Sequence, residues 1–193
     1  MSTTQDDKRE KEQIRIFGLT PTSGRSNKYI HDGIIDIDGK TFNIELKSSD
    51  LARGQVSTCR SFNLKKVDQY KQVWWIFSQY EKTQAGNSLT GTHYLAHGVD
   101  LREWFDKQEA KILSGTKTYA GLGDWYDCKS LVENLLPAET LEKLEETFRK
   151  KGCALNDPKI PWSEVERCGV KIDPSAPAEH LRQLLSERGE LSG

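Results

Sequence analysis

The sequence predicts an α/β fold, with strand-like and helix-like segments sharing one chain. Three observations predict it. Asp38-Gly39 separates two strand-like runs, YIHDGIIDI (29–37) and KTFNIELKSS (40–49), and Asp-Gly is a favoured two-residue hairpin turn. β-branched and aromatic runs recur at VWWIFSQY (73–80) and GTHYLAHG (91–98). Between and around them lie segments with helical spacing and helix punctuation.

Taken in order, residues 6–17 (DDKREKEQIRIF) read as a helix. Ile14 and Phe17 lie three apart, and Glu10 and Gln13 stand four before each of them on the same side. Residues 18–28 are Gly, Pro, Ser and Thr punctuation, hence a loop. In the hairpin, a two-residue turn sets Ile37 opposite Lys40, so Asp36 faces Thr41 and Asp32 faces Glu45. Phe42, Ile44 and Leu46 then share one face with Ile35 and Ile37, while Glu45 and Lys47 point to the other. Residues 50–63 are expected as a polar loop, 64–72 as a helix and 73–80 as a buried strand. A loop at 81–90 would lead to the strand 91–98 and a helix at 100–113, with Asp100 as its N-cap. Residues 114–128 form a Gly- and aromatic-rich loop. A helix at 136–151 has Pro137 near its start and Gly152 at its end. A Pro-punctuated stretch and a short helix at 178–188 close the chain.

The 193 residues allow one domain with a core large enough to need no disulfides. With 28 basic and 29 acidic residues the net charge is −1, which excludes an indiscriminate basic nucleic-acid coat but not a local basic groove. No apolar run approaches a membrane span, and MSTTQDDKREKEQ lacks the apolar stretch of a secretory signal, so a cytoplasmic protein is expected. Cys59, Cys128, Cys153 and Cys168 never form a C-x-x-C pair and read as free thiols. Signatures of serine hydrolases, zincins and P-loops are missing. His93 and His97 face the same way on a strand, but no third metal ligand accompanies them, so a partly buried strand face is expected.

The hairpin carries the sharpest chemical signal. Side by side, Asp32 and Glu45 repel, and a divalent cation relieves that penalty. Carboxylate oxygens suit Mg²⁺, which keeps waters and takes further ligands from phosphates. Lys47, two residues on, could position or polarise a water. A solubilising sheet face would carry the same Glu-x-Lys pattern.

The order of these parts resembles the PD-(D/E)XK nuclease superfamily. An acidic helix and a Ser-Gly loop are followed by Asp32 on a first strand, the Asp-Gly turn, and Glu45-Leu46-Lys47 on a second. Residues 10 to about 80 carry the resemblance, including the helix and strand after the motif. His31 stands where the motif name has Pro. The resemblance implies a mixed central sheet flanked by helices, a restriction endonuclease-like core, with a helical C-terminal part. It implies Mg²⁺ bound by Asp32, Glu45 and the Leu46 carbonyl, with Lys47 assisting the water. Glu10 or Glu12 would be the additional first-helix acid that many members use.

Around this motif, residues 53–71 hold Arg53, Arg60, Lys65, Lys66 and Lys71 against Asp68 alone. Interleaved with Ser57, Thr58, Ser61 and Asn63, they suit phosphate contacts. Lys117, Tyr119 and Trp125 in the aromatic loop could enter a groove or stack on bases. The expected organisation is a single nuclease domain over 1–193, with a catalytic core at 10–98 and recognition and dimerisation additions at 99–193. So much chain beyond the core favours a type II restriction endonuclease, a homodimer on double-stranded DNA, over a junction resolvase or homing nuclease. The rival of another class is a non-catalytic DNA-binding or assembly module.

Overall fold

The computed structural model describes residues 3–22, 31–59, 62–83, 86–113, 134–143 and 154–189. The chain forms two compact units. One comprises Met1–Ser57, Gln72–Leu101 and Ile160–Gly193; the other comprises Thr58–Lys71 and Arg102–Lys159.

The first unit is built on a six-stranded sheet that is mixed, as expected. Its strands are β1 (Thr20–Pro21), β2 (Gly33–Ile37), β3 (Lys40–Asp50), β6 (Trp74–Thr83), β7 (Gly86–His97) and β10 (Val170–Ile172), in that spatial order. The short strands β4 (Gln55–Ser57), β5 (Phe62–Asn63), β8 (Ala154–Leu155) and β9 (Lys159–Pro161) lie outside this sheet. β3 and β6 are parallel; every other neighbouring pair is antiparallel. A parallel pair needs a crossover, which the chain between Asp50 and Trp74 supplies.

The β2–β3 hairpin closes as expected. Asp38 (φ 50°) and Gly39 (φ 80°) are both left-handed, the two-residue turn whose twist matches a hairpin. Ile37 pairs with Lys40 and Asp36 with Thr41. Alternation then sends Phe42, Ile44 and Leu46 to one sheet face. There they join Phe17 of helix α1 (Thr3–Phe17), Trp74, Ile76, Leu95 and Ile172 in one buried cluster. Helix α5 (Pro177–Gly189) completes it with Leu181, Leu184 and Leu185, spaced to share one helical face. Buried aliphatic and aromatic side chains of this size contribute roughly 1.5–3 kcal/mol each. On the opposite face Trp75 and Phe77 stack at 5.6 Å, and Tyr94 meets Trp162 of α4 (Trp162–Cys168) edge-on at 6.0 Å.

Several local expectations are corrected. Residues 81–83 and 86–90 are not loop: β6 and β7 continue as a ribbon, pairing Tyr80 with Leu89 and Thr83 with Gly86. The ribbon is mostly exposed and polar, so no apolar alternation marks it and the backbone ladder alone defines it. Asp100 does not cap helix α3 (Arg102–Leu113); its Oδ2 accepts from the His97 N–H at 2.7 Å and from Arg188 at 2.8 Å. The C-terminal part carries helices α4 and α5, as expected, and adds β10, which pairs with β7 at the sheet edge.

In the second unit, β5 pairs with β8, and Phe62 is fully buried among the rings of Tyr70, Trp104 and Phe105. Helix α2 (Leu64–Lys71) begins where Asn63 Oδ1 accepts the Lys66 N–H at 2.9 Å, an N-cap bond. Residues 138–143 are helical after Pro137, and the remainder of the expected helix to 151 falls outside the described residues. Among the described residues, Cys59 and Cys168 are free thiols and no helix is long and apolar enough to cross a membrane.

Candidate active site

The site forms where β2 meets the middle of β3. Gly33 pairs with Ile44, and the Asp32 N–H also donates to the Ile44 carbonyl at 3.0 Å. Two consecutive residues thus face one, which is a β-bulge. The expected direct pairing of Asp32 with Glu45 is therefore corrected by one step. The bulge re-aims the Asp32 side chain, whose Oδ2 accepts the Leu46 N–H at 2.8 Å. Thr22 pins the same segment from its other edge, donating its N–H to the Asp32 carbonyl (3.3 Å) and its hydroxyl to the His31 carbonyl (2.6 Å). Glycine suits the second bulge position: a Cβ on Gly33 would stand 3.3 Å from Leu19 Cβ and Cδ1.

Glu45 and Lys47 follow on β3, beside Trp75 and Phe77 of β6. Glu45 is only 4% exposed. The Lys47 ammonium lies 2.5 Å from Glu45 Oε1 and 3.9 Å from Asp32 Oδ2. One cation thus stands between two carboxylates in a largely dry setting, where charge interactions gain strength. A strand sends the N–H and C=O of one residue to the same edge, so the Leu46 carbonyl faces the edge where Asp32 sits.

Asp36, the competing acid of the first strand, is placed elsewhere. Its Oδ1 accepts from the Thr41 hydroxyl at 2.5 Å, and its carbonyl accepts from Arg182 at 3.2 Å. His31 is half-buried; burial holds its pKa below the ordinary value, partly offset by the neighbouring Asp32 charge.

A buried polar chain that sequence reasoning did not assign lies behind β3. Gln13 of α1 is 2% exposed and donates to Ser78 Oγ at 2.8 Å and to the Lys47 carbonyl at 3.4 Å. Ser78 Oγ in turn lies 2.8 Å from His93 Nδ1. His93 stands edge-on to Phe17, and burial pushes its pKa down to about 4. The only signal for Gln13 was its shared helix side with Phe17. His93 and His97 do face one way, and His97 packs edge-on against Trp74.

Of the other candidates, Glu10 is exposed and Glu12 half-buried on α1. Arg53 is exposed at the end of a single 3₁₀ turn in the first unit. In the second unit Lys65 is exposed, and the Lys66 ammonium sits 5.0 Å over the Tyr70 ring. Lys71 is committed to Asp106 and Glu109, at 3.0 and 2.9 Å. Arg60, Lys117, Tyr119 and Trp125 lie outside the described residues.

Among the described residues no group of three or more His, Cys, Asp or Glu gathers as a metal cluster. The donor set is two carboxylates and one backbone carbonyl. That set fits Mg²⁺, which takes one or two carboxylates and completes its shell with waters and phosphate oxygens. No protein-family model matches this chain, and no curated protein matches it.

Proposed function

We propose that the chain is a Mg²⁺-dependent endodeoxyribonuclease that hydrolyses phosphodiester bonds in double-stranded DNA, and a homodimeric type II restriction endonuclease. One observation carries this reading: the bulge at Asp32 delivers a carboxylate to Leu46, beside the Glu45–Lys47 pair. Asp32, Glu45 and the Leu46 carbonyl would hold the ion. When bound, Mg²⁺ supplies Lewis acidity, acidifying water and neutralising phosphate charge. Lys47 orients the attacking water and offsets negative charge on the pentavalent transition state. Arg53, Lys65 and Lys66 serve the phosphate backbone, which positions a duplex without reading it.

Plasmid incubated with Mg²⁺, with EDTA as control, tests the reading. Discrete bands are the expected result. A smear would leave a nuclease without sequence specificity, and intact plasmid would sink the proposal. Lys47→Ala should abolish cleavage yet keep DNA binding in a Ca²⁺ gel shift.

A further inference from the structure

Lys47 does two things that a lysine placed only to guide a water need not do. Its ammonium is in direct contact with Glu45 Oε1 at 2.5 Å, and it lies 3.9 Å from the Asp32 oxygen that also takes the Leu46 N–H. Its side chain is only 16% exposed, so these carboxylates and not water supply much of its solvation. Glu45 is more deeply buried still, and a carboxylate there needs a cation at hand. A divalent ion on the same oxygens would stand within a few ångströms of that ammonium and be repelled by it.

We propose that Lys47 and a divalent cation compete for the Glu45 and Asp32 carboxylates, so that the ion enters by exchange, displacing the lysine from Glu45. The inference rests on the metal-site reading above. The exchange couples two requirements of that chemistry. The lysine is freed for water and phosphate when the ion has taken its place, and ion affinity is set by how firmly Glu45 holds its own lysine. The site is thereby tuned to bind weakly in isolation. A phosphate group arriving with DNA adds negative charge for both cations, so ion and substrate should favour each other's binding.

Mn²⁺ binding to the full chain, counted by the loss of the free-ion electron paramagnetic resonance signal, tests the proposal without reference to cleavage. Lys47→Met should bind Mn²⁺ at least tenfold more tightly than the parent chain, and adding Asp32→Asn should remove that gain. Equal or weaker binding by Lys47→Met, or no Mn²⁺ bound by either chain, overturns the competition. Because that variant removes the ammonium in contact with buried Glu45 and could unfold, a second measurement uses the unaltered chain. Acylation of Lys47 by an amine-reactive ester, followed by mass spectrometry, should speed up several-fold when Mn²⁺ is added. An unchanged or slowed rate overturns the exchange. Plasmid cleavage is scored separately: exchange without cleavage removes the nuclease reading alone, and cleavage without exchange removes only the competition.

Discussion

His93 offers a prediction whose size can be worked from its surroundings. The ring is 2% exposed, lies edge-on to Phe17, and meets Ser78 Oγ through Nδ1. Ser78 already accepts from Gln13, so its own hydroxyl proton is available for a neutral His93 Nδ1. Protonating Nδ1 sets a second donor against that hydroxyl and places a charge in the core. Burial, which disfavours the charged ring, lowers the pKa from 6.5 to about 4. In the unfolded chain the ring takes up its proton near 6.5, so between the two values unfolding absorbs a proton. Stability from this group is therefore complete above pH 6.5 and drains away as pH falls towards 4. At 1.36 kcal/mol per pH unit the full loss is about 3 kcal/mol. Urea unfolding across that pH range, for the parent chain and for His93→Gln, measures it. Gln can still accept from Ser78 but does not titrate, so its stability should fall less steeply by up to one proton. Titrations shared by both chains cancel in the comparison. Parallel pH dependence in the two would refute the reasoning. His31 and His97, whose pKa values burial also lowers, add to the acid sensitivity of both chains alike.

Asp32→Asn should abolish Mg²⁺-dependent cleavage while Asp36→Asn, whose carboxylate serves Thr41, leaves most of it; the reverse pattern in a plasmid assay would reassign the metal site. Because an Asn oxygen can still accept the Leu46 N–H, Asp32→Asn should shift the urea midpoint little, whereas Asp32→Ala should cost about 1–3 kcal/mol. Neutralising Lys65 should weaken binding to all DNA sequences alike and flatten the salt dependence by about 0.9 log unit, if it makes one phosphate contact; an unchanged slope moves the DNA groove elsewhere. Ile44→Ala, at a fully buried position on the core face of β3, should cost about 2–5 kcal/mol in denaturant unfolding.

What the sequence made legible was local in origin. Asp38-Gly39 fixed the hairpin because both positions must adopt positive φ, and the alternation of Phe42, Ile44 and Leu46 then placed Glu45 and Lys47 together. The sequence does not mark the bulge at Asp32, since it depends on the Asp32 N–H reaching the Ile44 carbonyl and on Thr22 closing from the far side. Its effect on the site is nonetheless decisive, because it turns a cross-strand neighbour of Glu45 into a partner of Leu46. Asp100 carried a sound capping residue type, but Arg188, 88 residues away in sequence, outbids the helix start for its carboxylate. The three residues of β10 are too few for any periodic signal, and only their pairing with Leu95, Tyr94 and His93 makes them a strand. Gln13, Ser78 and His93 come from three distant segments and meet only in the folded sheet.

The order in which the core is assembled has a consequence during synthesis. The apolar face of the sheet is made from Ile35, Phe42, Ile44, Trp74, Ile76 and Leu95, all translated well before the helix that covers them. Leu181, Leu184 and Leu185 reach that face from the last described helix. While residues 177–189 remain inside the ribosomal tunnel, the nascent chain carries a strand-rich surface without the cover that these three leucines supply. Such a surface is a template for sheet-to-sheet association. A ribosome stalled before Leu181 would therefore display a species prone to clumping, and slow passage through the codons for residues 177–189 should raise the demand for chaperones that hold apolar strands.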